Sequence, residues 1–169
     1  MVEVSRSHRF PIAKEHIMAL FLEHEQLDRF FDAKFSIVSA PSVNNKQPHA
    51  SNLSTLQAQH EGLIRKVSTP LLTFNEKVLA VQANLIRYCI IGECLISDHQ
   101  GDIVFTENNS GCKVNYTIRC KAPRWFPSFL LKLILNDMIK KAFKRLTAWL
   151  NQHENIHQQE QAVGTSRRK

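Results

Sequence analysis

The chain has 169 residues, of which 43% are apolar and 22% are charged, an ordinary balance for one globular domain with its own core. The formal net charge of +7 could attract nucleic acid or an anionic membrane. However, the sequence contains no aromatic-plus-basic RNA motif and no zinc-finger spacing, and no apolar run is long enough to span a membrane. We therefore expect no nucleic-acid partner, and we interpret the charge as a solvated helix face and a basic tail.

Four cysteines bear on the compartment and on metal binding. They form no CxxC pair, and no histidine stands at metal-ligand spacing from them. The N-terminus turns polar at once, unlike a signal peptide, and no glycine-rich phosphate loop occurs. We expect a cytoplasmic protein with reduced thiols, no metal and no cofactor.

The first third of the chain predicts a strand, two short helices and a second strand. Apolar residues alternate over Val2–Phe10, and Pro11 ends that strand. Helical spacing follows over residues 13–22 and again over 25–31, before alternation returns over 35–39. Residues 40–57 are rich in Pro, Asn and Ser and predict a polar loop. The loop is long for a compact domain, and we expect it to be mobile.

The middle of the chain predicts a succession of strands. Apolar and polar residues alternate over residues 63–67, 99–107 and 113–120, and further apolar runs cover 78–81 and Leu85–Ile91. The sequence Asn109-Ser110-Gly111 is typical of a hairpin turn between the last two strands. Clean alternation indicates antiparallel strands with one covered face.

The last element is predicted to be a helix of about 25 residues from Ser128 to about His153, long for a globular domain. One stripe of it is apolar and the opposite arc is rich in lysine, so the helix should lie on an apolar surface along its length. The order of elements predicts an α+β fold. We expect a single domain over residues 1–153 and a flexible basic C-terminal tail over 154–169.

Several motifs, in this order and spacing, resemble a known superfamily. They are GLIRKV at residues 62–67, LIRY at 85–88, HQGDIVF at 99–105 and GCKVNYTI at 111–118. Together with the Pro-containing entry to the first helix, they resemble the SRPBCC superfamily of polyketide cyclase/dehydrase-like, START-like and birch-pollen-allergen-like domains. The resemblance implies the helix-grip fold, in which a curved antiparallel sheet wraps around a long C-terminal helix and a ligand cavity lies between them.

Strand parity then selects candidate residues for that cavity. Arg65, Tyr88, His99 and Tyr116 each share a face with apolar residues of their strands, and Glu76 could stand beside Arg65. Arg65 and His99 could orient a polar head group while the tyrosines hydrogen-bond it; alternatively, the tyrosines and His99 are structural and Arg65 is half of a buried ion pair. Apolar candidates for the same cavity are Ile103, Phe105, Leu131, Leu135 and Met138.

The segment over residues 125–135 is apolar nearly all round, beyond what one buried stripe requires. The excess residues Leu130, Leu133 and Ile134 could cover the cavity mouth, which we favour, form a dimer, or make a transient membrane contact. We expect a monomer or a weak dimer.

Three functions follow as hypotheses. The first is binding or transport of a hydrophobic small molecule, such as a lipid, an isoprenoid or a polyketide-like compound, in the internal cavity. The second is a polyketide cyclase or dehydratase, which an inward His99 bonded to a carboxylate would favour. The third is a protein-interaction domain, which a cavity plugged by side chains would favour.

Overall fold

The structure is a computed structural model that describes residues 1–41 and 53–166, with side chains except those of residues 53–54 and 154–166. It consists of seven strands, three α-helices and one 3-10 helix. The strands are β1 (Val2–Phe10), β2 (Lys34–Ser39), β3 (Ile64–Ser68), β4 (Thr73–Gln82), β5 (Leu85–Ile91), β6 (Ser97–Asn108) and β7 (Gly111–Lys121). The α-helices are α1 (Lys14–Leu22), α2 (Leu53–His60) and α3 (Ser128–Ser166), and the 3-10 helix is His24–Arg29.

The strands form one curved antiparallel sheet in the order β1-β7-β6-β5-β4-β3-β2. Consecutive strands from β2 to β7 are neighbours, and β1 closes the far edge against β7, with Val4 opposite Ile118. The expected α+β class is therefore confirmed. Because side chains of a strand alternate between the two faces, each strand gives one row to the covered face of the sheet.

The opposite face of the sheet carries ion pairs. Asp102 lies between two arginines, with Arg87 Nε at 2.6 Å and Arg119 Nη1 at 3.3 Å from its carboxylate oxygens. Arg119 also binds Glu3 across the β1–β7 pair. One face of the sheet is thus polar and the other faces the core, as the alternation in the sequence predicts.

Helix α3 lies on the covered face by its apolar stripe. Leu131, Leu135, Ile139, Ala142 and Leu146 follow one another at intervals of three or four, and each is buried. The ring of Phe143 packs edge-on to Phe10 of β1 at 5.8 Å between centroids.

Three predicted elements differ from the structure. The second helix is a 3-10 helix, His24–Arg29, and the strand predicted over 78–81 extends over Thr73–Gln82 with a register shift between Val78 and Ala80. The predicted loop 40–57 was wrong at its end, because α2 begins at Leu53; residues 42–52 lie outside the described part of the chain. Turn-forming residues dominate the composition of residues 40–57, so the sequence pattern does not indicate the short helix α2 that follows them.

The last helix is longer than its sequence pattern predicts. The apolar stripe ends near Leu150, yet the helical backbone continues to Ser166. A stretch rich in Gln and Glu has good intrinsic helix propensity, which explains a helix where we expected fraying. The division into one domain and a tail stays a prediction.

Candidate ligand-binding cavity

A cavity of about 560 Å³ lies between the covered face of the sheet and α3. Its wall is largely apolar, and includes Phe21, Leu27, Ile86, Ile103, Leu131 and Leu135. A cluster of polar side chains in the wall comes from β3, β4, β5, β6, β7 and the 3-10 helix, and the other polar lining residues are Asp32, Thr69, Asp137 and Lys141. A mostly apolar pocket with a few polar groups is the usual form of a small-molecule site.

Arg65 and Glu76 form a buried ion pair in this wall. They are opposite each other in the β3–β4 register, and each is 6% exposed. The Arg65 Nε and Nη2 atoms donate to Glu76 Oε2 at 2.9 and 2.7 Å. Although burial alone would lower the pKa of Arg65, the Glu76 carboxylate outweighs it and raises that pKa above its usual value. Arg65 is therefore a permanent cation whose charge Glu76 already neutralises.

Two aromatic rings flank the Arg65 guanidinium. Its central carbon lies 5.2 Å from the ring centroid of Phe35 and 5.2 Å from that of Tyr88. Both distances are within the range of a cation–π contact. The arginine is thus held on its apolar sides as well as through its hydrogen bonds.

Two histidines continue the polar cluster away from Arg65. His24 Nδ1 lies 3.0 Å from Arg65 Nη1, and His24 Nε2 lies 3.1 Å from His60 Nδ1. Because a guanidinium can only donate, His24 Nδ1 must accept, so His24 is neutral and donates from Nε2 to His60. Burial, Arg65 and His60 together lower the pKa of His24 to about 3, in agreement with that neutral form.

Sequence reasoning missed both histidines. His24 lies in the 3-10 helix and His60 ends α2, and nothing in their spacing links them to each other or to Arg65. Only the packing of α2 against β4 and of the 3-10 helix against β2, the two strands on either side of β3, brings the three side chains together.

Tyr88 and Tyr116 meet through their hydroxyl groups inside the wall. Both side chains are buried, and burial raises the pKa of each phenol. Tyr88 faces Gly101 in the β5–β6 register, and a Cβ atom at Gly101 would overlap the Tyr88 ring. Because Gly101 has no side chain, the Tyr88 ring has the space that it needs to reach Tyr116.

His99 stands beside Tyr88, with 5.7 Å between their ring centroids. Burial, with a smaller contribution from Arg65, lowers its pKa to about 4, so the ring is neutral at physiological pH. Its Nδ1 atom is buried and has no hydrogen-bond partner among the described residues. An unpaired buried polar atom is uncommon in native structures and calls for an explanation.

The structure brings together most of the residues selected from strand parity. Arg65, Glu76, Tyr88, His99, Ile103, Tyr116, Leu131, Leu135 and Met138 line the cavity. Phe105 does not; it is 1% exposed and packs against Phe21 of α1, at 5.9 Å between ring centroids. Parity identifies the covered face, but it cannot tell which part of that face α1 fills. That the lining residues bind a ligand stays a prediction.

Exposed apolar residues surround the cavity mouth. Leu71, Leu95, Trp125 and Ile134 line it and are 78%, 53%, 71% and 43% exposed. Leu130 and Leu133 are not part of the cavity lining, and Leu133 instead lines a separate groove between α3 and β1. Our expectation that all three excess residues cover the mouth is therefore wrong for Leu130 and Leu133, because α3 turns them away from the cavity. For Ile134, which lines the cavity, it stays a prediction.

Solved structures of the same architecture are found at low sequence identity. A START superfamily protein from Mycobacterium smegmatis has a TM-score of 0.68 and 11% identity, over 89% of this chain and 97% of the other. The protein XoxI from Bacillus cereus has a TM-score of 0.63 and 12% identity, over 91% and 99%. The di-domain ARO/CYC StfQ of the steffimycin biosynthetic pathway has a TM-score of 0.62 and 11% identity, over 91% of this chain and 52% of StfQ.

These similarities identify the fold. No protein-family model matches the sequence. No curated protein matches it significantly. The chain has the helix-grip fold of START-like and polyketide cyclase-like structures, which confirms the resemblance seen in its motifs at the level of fold. Among the described residues, no helix is both long and apolar enough to cross a membrane.

Proposed function

We propose that the protein binds, and carries, a hydrophobic small molecule in the cavity between the sheet and α3. The observation that supports this proposal most directly is the cavity itself, about 560 Å³ of largely apolar space with a polar cluster in its wall. This volume falls within the range of about 300–1,000 Å³ that is usual for small-molecule sites.

The two alternative functions have less support. A cyclase or dehydratase would use His99 as an acid or base oriented by a carboxylate, but within residues 1–41 and 53–166 its buried Nδ1 has no partner. An interaction domain would be favoured by a cavity plugged with side chains, whereas this one is open. A carrier or binding domain needs only the apolar cavity and a means of orienting its ligand.

Native mass spectrometry of the purified protein, followed by solvent extraction, tests the proposal. We expect a bound lipid-like, isoprenoid or polyketide-like molecule in stoichiometric amount. The variant Met138→Trp should exclude it, because Met138 lines the cavity and indole fills more of that space. Leu133→Trp is the matched control, since Leu133 lies on the same helix but is 60% exposed and outside the cavity lining.

Two results would contradict the proposal. One is a ligand retained equally by Met138→Trp and wild type, which would place it elsewhere. The other is a wild-type protein that carries no molecule and takes up no apolar probe.

A further inference from the structure

We infer that the buried end of the ligand is an uncharged oxygen, a carbonyl or a hydroxyl, which hydrogen-bonds the His99 side chain, and that the cavity selects against carboxylates. This inference rests on the proposed function and specifies its ligand class. It follows from the charges in the cavity wall and from His99, which lines the cavity and carries the one buried side-chain polar atom among the described residues that lacks a partner.

The polar cluster in the wall carries no net charge. The Arg65 cation is bound through two N–H groups to the Glu76 carboxylate. His24 and His99 are neutral at physiological pH, with pKa values lowered to about 3 and about 4, and burial keeps Tyr88 and Tyr116 protonated. Arg65 also donates to His24, so its charge is already shared between two partners.

The charged residues at the mouth are paired as well. Asp137 binds Lys141 at 2.8 Å, and Asp32 binds Arg145 at 2.5 Å. Among the described residues that line the cavity, every cation therefore has an anionic partner. A ligand carboxylate would have to compete with Glu76 for Arg65 or remain unpaired, and burying an unpaired charge is strongly unfavourable.

His99 supplies the complementary requirement. The ring lines the largely apolar cavity, and its Nδ1 atom is buried without a hydrogen-bond partner among the described residues. A ligand that ended in hydrocarbon beside the ring would leave its hydrogen-bonding capacity unused. In neutral imidazole, one ring nitrogen donates and the other accepts, according to the tautomer. A carbonyl oxygen suits a nitrogen that donates, and a hydroxyl group suits one that accepts.

The hydroxyl groups of Tyr88 and Tyr116 can also contribute a hydrogen bond to the ligand oxygen. One hydroxyl donates to the other, which leaves one O–H hydrogen of the pair free to donate. Because the His99 ring lies beside Tyr88, this part of the wall offers hydrogen bonds without charge. Such a surface orients a neutral oxygen and gives no compensation to an anion.

Three probes of equal chain length test the inference: methyl octyl ketone, decanol and decanoate. Their affinities would be measured by isothermal titration calorimetry at neutral pH with wild type, His99→Phe, His99→Gln and Met138→Trp. We expect wild type to bind the ketone, the alcohol or both about tenfold or more tightly than decanoate. His99→Phe should remove that preference, and His99→Gln, which keeps a hydrogen-bonding side chain, should retain part of it.

The outcomes separate this inference from the proposed function. Decanoate binding as tightly as both neutral probes would overturn the inference, and so would neutral-probe affinities that His99→Phe leaves unchanged. If Met138→Trp and wild type bind all three probes equally, or if wild type binds none of them, the cavity is not the binding site and the proposed function fails with the inference. Thermal unfolding of each variant checks that lost binding is not lost folding.

Discussion

Polar side chains are tolerated in the cavity wall because they hydrogen-bond one another and neutralise one another's charge. Arg65 and Glu76 neutralise each other, His24 accepts from Arg65, and the two tyrosine hydroxyls pair. In the part of the chain that the structure describes, His99 Nδ1 is the one buried side-chain polar atom without a partner. A buried ion pair of this kind gives little net stability by itself, but breaking it is costly.

Removing Arg65 alone should therefore destabilise the protein strongly. We expect Arg65→Met to lower the free energy of unfolding by about 3–5 kcal/mol, because it leaves Glu76 buried without its counter-charge. Burial raises the pKa of Glu76 even with Arg65 beside it. The double variant Arg65→Met/Glu76→Met should regain most of the loss, as measured by urea unfolding. A double variant no more stable than Arg65→Met would argue against this role.

Gly101 provides a second test at the residue scale. We expect Gly101→Ala to destabilise the protein by about 1–3 kcal/mol, because the added methyl group overlaps the Tyr88 ring. In a Tyr88→Leu background the same substitution should cost much less, since leucine lacks the ring atoms that clash. Thermal unfolding of the four proteins gives the comparison, and an equal cost in both backgrounds would rule out the ring as the cause.

At the scale of elements, α3 is held to the rest of the molecule by its buried stripe and a few polar contacts. Ile139, near the centre of the buried stripe, is 0% exposed. Arg145 Nη2 binds Asp32 at 2.5 Å, and Thr147 Oγ1 lies 3.1 Å from His8 Nε2 of β1. The helix closes one side of the cavity, so its docking controls the shape of the binding space.

Truncation within the stripe should show how much the packing of α3 contributes. We expect Ile139→Ala to lower the free energy of unfolding by about 2–5 kcal/mol, as is typical of large-to-small changes in a core. Leu133→Ala on the same helix should change it by no more than about 0.5 kcal/mol, because Leu133 is 60% exposed. Similar effects of the two substitutions in urea unfolding would mean that α3 does not dock as described.

At the scale of the whole molecule, stability is linked to pH through buried neutral histidines. His24 and His99 have folded-state pKa values of about 3 and about 4, whereas an unfolded histidine titrates near 6.5. Between these values the unfolded chain binds more protons than the folded one. Stability therefore rises with pH through about 6.5 and is lost as the pH falls below that value.

Acidification should destabilise the protein by a predictable amount. From about pH 7.5 to about pH 5, each of the two histidines should cost up to about 2 kcal/mol of unfolding free energy. His99→Phe should reduce that dependence by its own share, whereas His16→Phe, at an exposed position, controls for the loss of a histidine. An unfolding free energy that is the same at both pH values would contradict the burial of neutral rings.

Much of the fold could be predicted because local patterns carry it. Strand parity correctly assigned Arg65, Tyr88 and Tyr116 to the covered face, since alternation is a property of any extended chain with one buried side. The apolar stripe of α3 could be predicted for the same reason, because its apolar residues recur at the period of a helix. The start of α2 at Leu53 was not, because turn-forming residues precede it and its eight residues show almost no apolar face.

The sequence by itself determined the order of the seven strands, the covered faces of the strands and the buried stripe of α3, because these depend on the local alternation of apolar and polar residues. Only the tertiary structure decided which polar side chains meet. His24, His60 and Arg65 come from three separate elements, and Phe105 was excluded from the cavity by the packing of α1. Such contacts depend on how elements pack in three dimensions, and a pattern along the chain does not encode that arrangement in any local signal.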